Sequence, residues 1–228
     1  MFKPSSMDLI RAGLQDLDRA RALFGQLKAD AIADGRCAEL LGVLAHACDP
    51  DVALGNFVDI VNAMQSSRRD LDRVIPDAGA LRRLITVLGA SDAMGKFMRF
   101  RPELVEAASV GSADSHLFNR AQRRARLLME VGADPDDQAM PVASKDLAEA
   151  ATALRAGYRR QLAAIIAQDV MAEDPIRIQP TISSELSDLA DAALEGALAI
   201  ARHETEGSEH VRFTIIGMGK LGAQELNY

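Results

Sequence analysis

Between Ser5 and about Ala33 the apolar residues Leu9, Ile10, Leu14, Leu17, Ala20, Leu23, Phe24 and Leu27 recur at steps of three and four, with Asp and Arg between them. That spacing predicts one amphipathic helix. A second apolar block, Glu39 to Ala47, runs up to Asp49-Pro50, a pair that suits a helix start with Asp49 as N-cap and Pro50 at the first helical position. The helix it opens should reach about Met64. Pro76 and Gly79 mark the next break, after which Leu81, Leu84, Ile85 and Leu88 form a short stripe ending at Gly89. Ser91 can cap a successor that carries Met94, Phe97 and Met98 as core residues, and Pro102 opens a further short turn, ELVEAAS.

Gly111 to Ser115 is a small polar break before a helix over Ala121 to Met129. The arginines beside and within it, Arg120, Arg123, Arg124 and Arg126, read first as a solvated face and second as a contact for an acidic partner or a phosphate. Gly132 to Pro141, GADPDDQAMP, has two prolines and three aspartates and no apolar period, so 132–143 is the expected flexible linker. Ser144 can cap a long helix with Leu147, Ala151, Leu154, Tyr158, Leu162 and Ile165 on one face. A break at Glu173 to Pro180 leads to the most regular stripe, Leu186, Leu189, Ala190, Ala193, Leu194, Ala197, Leu198 and Ala201. Thr181, Ser183 and Ser184 are its cap candidates, and Gly207 lies beyond its end.

The β-branched run Val211 to Ile216 alone reads as a strand, and one strand cannot satisfy its own backbone groups as a sheet member. The predicted fold is therefore mainly α, a multi-helical region leading into the first strand of a truncated α/β domain. Its parts are a helical region over 1–131, the linker, helices over 144–206, and a strand with a glycine turn over 207–228. No solenoid repeat or low-complexity tract interrupts it.

Composition narrows the function classes. The 228 residues are 48% hydrophobic, with a mean hydropathy of -0.02, as in globular proteins. A net charge of -7 argues against a general nucleic-acid binder. No 18-residue apolar run and no apolar leader segment occurs, so a cytoplasmic protein without membrane association is expected. Cys37 and Cys48 lack paired spacing, and His46, His116, His203 and His210 have no partner at ligand spacing; reduced thiols and ordinary histidines are the reading.

Chemistry concentrates in FTIIGMGKLGAQELNY. Gly217, Gly219 and Gly222 allow a tight turn after the strand, backbone N–H groups at a helix start favour an anion, and Lys220 adds positive charge. The G-x-G-x-x-G spacing alone admits a dinucleotide-dependent oxidoreductase fragment, although that fold also needs an acidic residue about 20 positions further on. A P-loop is excluded because Leu221, not Ser or Thr, follows Gly219-Lys220.

GMGKLGAQELNY resembles the opening of the nucleotidyltransferase site in the bacterial glutamine synthetase adenylyltransferase/adenylyl-removing family. LITVLGASDAMGKFMRFRPELVEA, YRRQLAAIIAQDV and ISSELSDLADAALEGALAIAR resemble the family's preceding helices. Ala223 in place of a second glycine, and Phe100-Arg101-Pro102 in place of a His-Pro, are departures. The resemblance implies an enzyme that attaches AMP from ATP to a tyrosine of glutamine synthetase and, in a related domain, removes it by phosphorolysis to ADP. It implies Mg²⁺ held by an Asp-x-Asp pair expected beyond Tyr228, with glutamine synthetase and the PII nitrogen-signalling protein as partners. A glycine turn reached about 210 residues after Met1 matches the N-terminal, adenylyl-removing half, and the chain alone is expected to be inactive. Carried over, the amides of Gly219 to Leu221 face a nucleotide phosphate with Gly217 and Gly222 shaping the turn and Lys220 supplying charge. Glu225 and Asn227, in the family's ELN run, are support residues. The competing readings are that the glycines only permit close packing, and that the helical part is a docking module for glutamine synthetase or PII without catalysis.

Overall fold

The computed structural model describes residues 2–27, 34–66, 75, 77–101, 103–109 and 118–228. The expectations for Pro76, Pro102, Gly111 to Ser115, His116 and residues 28–33 lie outside them. The chain divides into two compact units, Met1–Ser112 with Ile166–Met171, and Ala113–Ile165 with Ala172–Tyr228. Among the described residues both are helical and neither contains a strand.

In the first unit the single N-terminal helix predicted from periodicity is two. Helix α1 (Ser6–Arg11) opens with a capping box, Ser5 and Asp8 exchanging side chain-to-backbone hydrogen bonds. The chain then turns through Gly13 at φ +79°. The amides of Gln15 and Asp16 donate to the Asp51 carboxylate at 2.9 and 3.3 Å, and Asp16 caps α2 (Leu17–Gln26). The break has local caps, the Gly13 and Leu14 amides donating to the Ile10 and Leu9 carbonyls and Asp16 starting α2, and Asp51 reinforces it from a distance; the apolar period stays in phase across it and conceals it. Leu9, Leu14, Ala20, Phe24 and Leu27 are buried, while Ile10, counted in the same stripe, is 55% exposed.

Helix α3 (Asp34–Leu44) precedes α4 (Pro50–Ser66), whose start is as predicted, Asp49 accepting from the Val52 amide at 3.0 Å. Helix α5 (Ala78–Ala90) is capped by Asp77, and Ser91 ends it while capping α6 (Asp92–Phe100); α7 spans Glu103–Ser109. Helix α5 is the centre of the unit: Leu81, Leu84, Ile85, Val87 and Leu88 are all buried, and it packs against α3, α4, α6 and α7. Met94 and Met98 are core residues as expected. Gly95 lets α6 approach α4 so closely that a Cβ there would fall 2.3 Å from Asn56.

The second unit holds α8 (Arg120–Glu130), α9 (Leu147–Met171), of which 147–165 belongs to it, and α10 (Pro175–Glu204). Ser144, expected to cap α9, instead donates to the Gly132 carbonyl, and Asp146 takes the cap by accepting from the Glu149 amide. The break predicted at Glu173 to Pro180 is present but shorter, confined to residues 172–174 between α9 and α10. Helix α10 begins five residues earlier, capped by Asp174, because Asp-Pro is a strong start and one proline near a long helix's N-terminus removes a single hydrogen bond. Thr181, Ser183 and Ser184 are consequently helical rather than capping. In segment 132–143 the aspartates form turns, Asp137 accepting from the amides of Ala139 and Met140, and the Ala143 amide donates to Ala199.

Two apolar clusters join these helices, one around Leu128, Val131, Ala150 and Ala199, the other around Leu127, Ile165, Ile182, Leu186 and Leu189. Gly157 and Gly196 permit the approach; a Cβ on either would lie 2.8 Å from a neighbouring side chain. After α10, Gly207 at φ +75° leads into a 3-10 turn, Ser208–His210. Residues 211–218 form no regular element, Val211 and Met218 being extended, and the strand expected at Val211 to Ile216 pairs with no other segment among the described residues. Phe213, Ile216 and Met218 are 60%, 78% and 81% exposed. The helix α11 (Gly219–Gly222) follows.

Candidate functional site

The glycine turn is built by backbone sterics. Gly219 sits at φ +59°, a left-handed conformation that side chains disfavour. At Gly222 a Cβ would come 2.6 Å from the Gly217 carbonyl oxygen, so this position must stay bare for the turn to close. Gly217, Gly219, Lys220 and Gly222 are therefore brought together, and all four are exposed. The turn is closed by amides of Ala223, Gln224 and Glu225 donating back to Gly219, Leu221 and Lys220. Among the described residues, the amides of Gly219, Lys220 and Leu221 donate to no backbone carbonyl outside the helix itself. Lys220 Nζ donates to Asn227 Oδ1 at 3.0 Å. Glu225 is exposed.

Helix α11 ends after four residues, with Gln224 left-handed at φ +58°. A dinucleotide-binding turn opens a long helix instead. The turn offers donors and one cation but no paired carboxylates, and no group of three His, Cys, Asp or Glu among the described residues is arranged for a metal. These residues do not fit Mg²⁺ as ligands, and no chemical step of this chain is routed through it.

Of the arginines read first as a solvated face, Arg120 and Arg126 are exposed, whereas Arg123 and Arg124 are turned inward onto acids of α10. Arg123 is 1% exposed; it donates to Gln161 of α9 at 3.2 Å and to Glu185 at 3.0 Å. Burial is the leading cause that raises the Glu185 carboxyl to about 7, opposed by Arg123 and reinforced by Asp188, whose own carboxyl burial also raises. Arg124 grips both oxygens of Glu195 at 2.7 and 2.8 Å and donates to the Pro135 and Asp137 carbonyls. Arg120 pairs with Asp191, and the Arg126 guanidinium lies 3.8 Å from the Phe118 ring centre. A cleft of about 330 Å³ lies beside them, lined by Arg120, Arg124, Asp188, Asp191 and Glu195 among others. Its arginines already hold carboxylates, so a phosphate there would first have to displace them. The missed signal was spacing: Arg123 precedes buried Leu127 by four, and Glu185 precedes buried Leu189 by four, so both share their helix's apolar face.

No described helix is long and apolar enough to cross a membrane. Cys37 and Cys48 are free thiols. The family described as Glutamate-ammonia ligase adenylyltransferase matches residues 81–228. A protein from Bifidobacterium longum subsp. infantis named bifunctional glutamine synthetase adenylyltransferase/adenylyl-removing enzyme is 99% identical over 228 residues, covering 100% of this chain and 21% of its own length. Proteins of the same name from Bifidobacterium longum and Cutibacterium acnes are 83% and 35% identical over 228 and 224 residues, covering 100% and 98% of this chain. In them the matched part is 21% and 22% of the length, so the chain spans about a fifth of these relatives. No solved structure matches it. With a family match that runs from the centre of the first unit through the glycine turn, the chain belongs to the glutamate-ammonia ligase adenylyltransferase family.

Proposed function

We propose that this chain is part of a bifunctional enzyme that transfers AMP from ATP to a tyrosine of glutamine synthetase and removes it by phosphorolysis, and that it lies in the adenylyl-removing half. The family match through the glycine turn carries this reading. Residues 211–216 act as the first strand of the α/β nucleotidyltransferase domain. Their exposed apolar side chains and the absence of a ladder partner among the described residues support that role, because such a segment is completed by neighbours.

In the reaction an oxygen of inorganic phosphate attacks the phosphorus of the AMP–tyrosine ester. The new P–O bond makes ADP, the bond to tyrosine breaks, and the phenolate takes up a proton. Charge spread over the phosphoryl oxygens favours preorganised donors. The amides of Gly219, Lys220 and Leu221 face a nucleotide phosphate and Lys220 adds a point charge; that these amides have, among the described residues, no other backbone acceptor outside the helix supports the assignment. Glutamine synthetase is the substrate partner, PII the regulatory one, and Mg²⁺ is a cofactor of the longer protein held by other residues. By itself the 228-residue chain forms no ADP.

The test is Lys220→Ala in the full-length enzyme, assayed as phosphate-dependent ADP release from adenylylated glutamine synthetase. A weakened KM for phosphate or nucleotide is expected. Unchanged deadenylylation with impaired adenylylation would reassign the turn to the other half-reaction, and no change in either would remove the phosphate role.

A further inference from the structure

We propose that Leu226 and Asn227 are positioning residues, Leu226 seating the glycine turn on the helical core and Asn227 holding the Lys220 ammonium where the phosphate is bound. The inference rests on the phosphate-facing role proposed above for the turn.

A four-residue helix has no stability of its own, and residues 217–220 are exposed. Something outside the turn must therefore fix it. Leu226 is the side chain the chain folds back: the Glu225 amide donates to the Lys220 carbonyl at 2.8 Å, Gln224 takes a left-handed conformation, and Leu226 then packs against the cluster of Leu127, Ile182, Leu186 and Leu189. The next residue, Asn227, accepts from Lys220 Nζ at 3.0 Å. One anchor thus places both the backbone amides and the lysine head group. A free lysine side chain loses considerable rotamer freedom on binding a phosphate, and a neighbour that restrains it beforehand removes part of that cost. Asn227 serves this better than a carboxylate, which would neutralise the charge that the phosphate needs.

The experiment uses the full-length enzyme, with ADP release from adenylylated glutamine synthetase measured against inorganic phosphate concentration. Asn227→Ala is expected to raise the KM for phosphate about 3- to 10-fold with unchanged melting temperature, and to add nothing further when combined with Lys220→Ala. Leu226→Ala should move KM in the same direction, with Leu226→Met restoring it. If Lys220→Ala weakens phosphate use while Asn227→Ala does not, or if the two losses multiply, the positioning role is overturned and the phosphate reading stands. If Lys220→Ala has no effect, both fall. A Leu226→Ala loss that Leu226→Met fails to recover and that tracks melting temperature alone would make Leu226 a packing residue only.

Discussion

Arg123 and Glu185 meet at 3.0 Å between α8 and α10, with the arginine 1% and the glutamate 9% exposed. This pair, completed by Gln161 of α9, ties three helices through charge on the buried side of a contact whose outer side carries Arg120–Asp191 and Arg124–Glu195. Burying both ions is costly and their attraction offsets only part of it, so removing one partner is far worse than removing both.

At about pH 8, above the Glu185 titration near 7, Arg123→Met should therefore lower the stability of the second unit by about 3–5 kcal/mol, because the Glu185 carboxylate is left buried without its counter-charge. Adding Glu185→Leu should recover most of the loss. Urea denaturation of both variants checks this, and equal instability of the single and double variants would refute it.

The pH dependence follows from Glu185. Its folded carboxyl titrates near 7 rather than 4.5, so between those values the folded chain holds more protons than the unfolded one. Stability from this group is full below about pH 4.5 and is lost as pH rises to 7, by about 3 kcal/mol at 1.36 kcal/mol per unit. The difference between wild type and Glu185→Gln, measured from pH 4.5 to 8, should show that slope; parallel curves would contradict it.

Two glycines should respond in opposite senses. Gly95→Ala drives a methyl into Asn56, whose side chain donates to the Leu88 carbonyl and to Asp92, and should cost about 1–3 kcal/mol. Gly42→Ala, in α3 with nothing within 4 Å, should stabilise by up to about 1 kcal/mol. Thermal melts of the two variants should shift apart.

Asp51→Ala should destabilise the first unit by about 1–3 kcal/mol, since it strips the acceptor from the amides of Gln15 and Asp16. Asp51→Asn, which keeps an acceptor oxygen, should lose less. Equal losses would mean that charge alone matters there.

What could be read from the residues was whatever local chemistry decides. The Asp49-Pro50 start, the Ser91 cap and the apolar stripe of α5 need only neighbours in sequence, and the structure has them. The α1–α2 break has Gly13 and Asp16 in sequence but is hidden by an unbroken apolar period and locked by a carboxylate 35 positions away, and the start of α10 depends on Asp174-Pro175 outweighing Pro180. Arg123 and Arg124 departed from the solvated face that Arg120 and Arg126 keep for a related reason: charge predicts solvent unless an acid waits on another helix. At the glycine turn the residue types and spacing were legible, whereas the Lys220–Asn227 bond and the Leu226 anchor require the chain to fold back, which no spacing reports.

The carboxylate of Asp51 also imposes an order on events. A chain emerging from the ribosome exposes residues 5–27 before residue 51, and in that interval only the local caps at Gly13 and Asp16 favour the bend. The Asp51 carboxylate adds its two acceptor bonds once the start of α4 is present, so the bend is begun locally and locked from a distance.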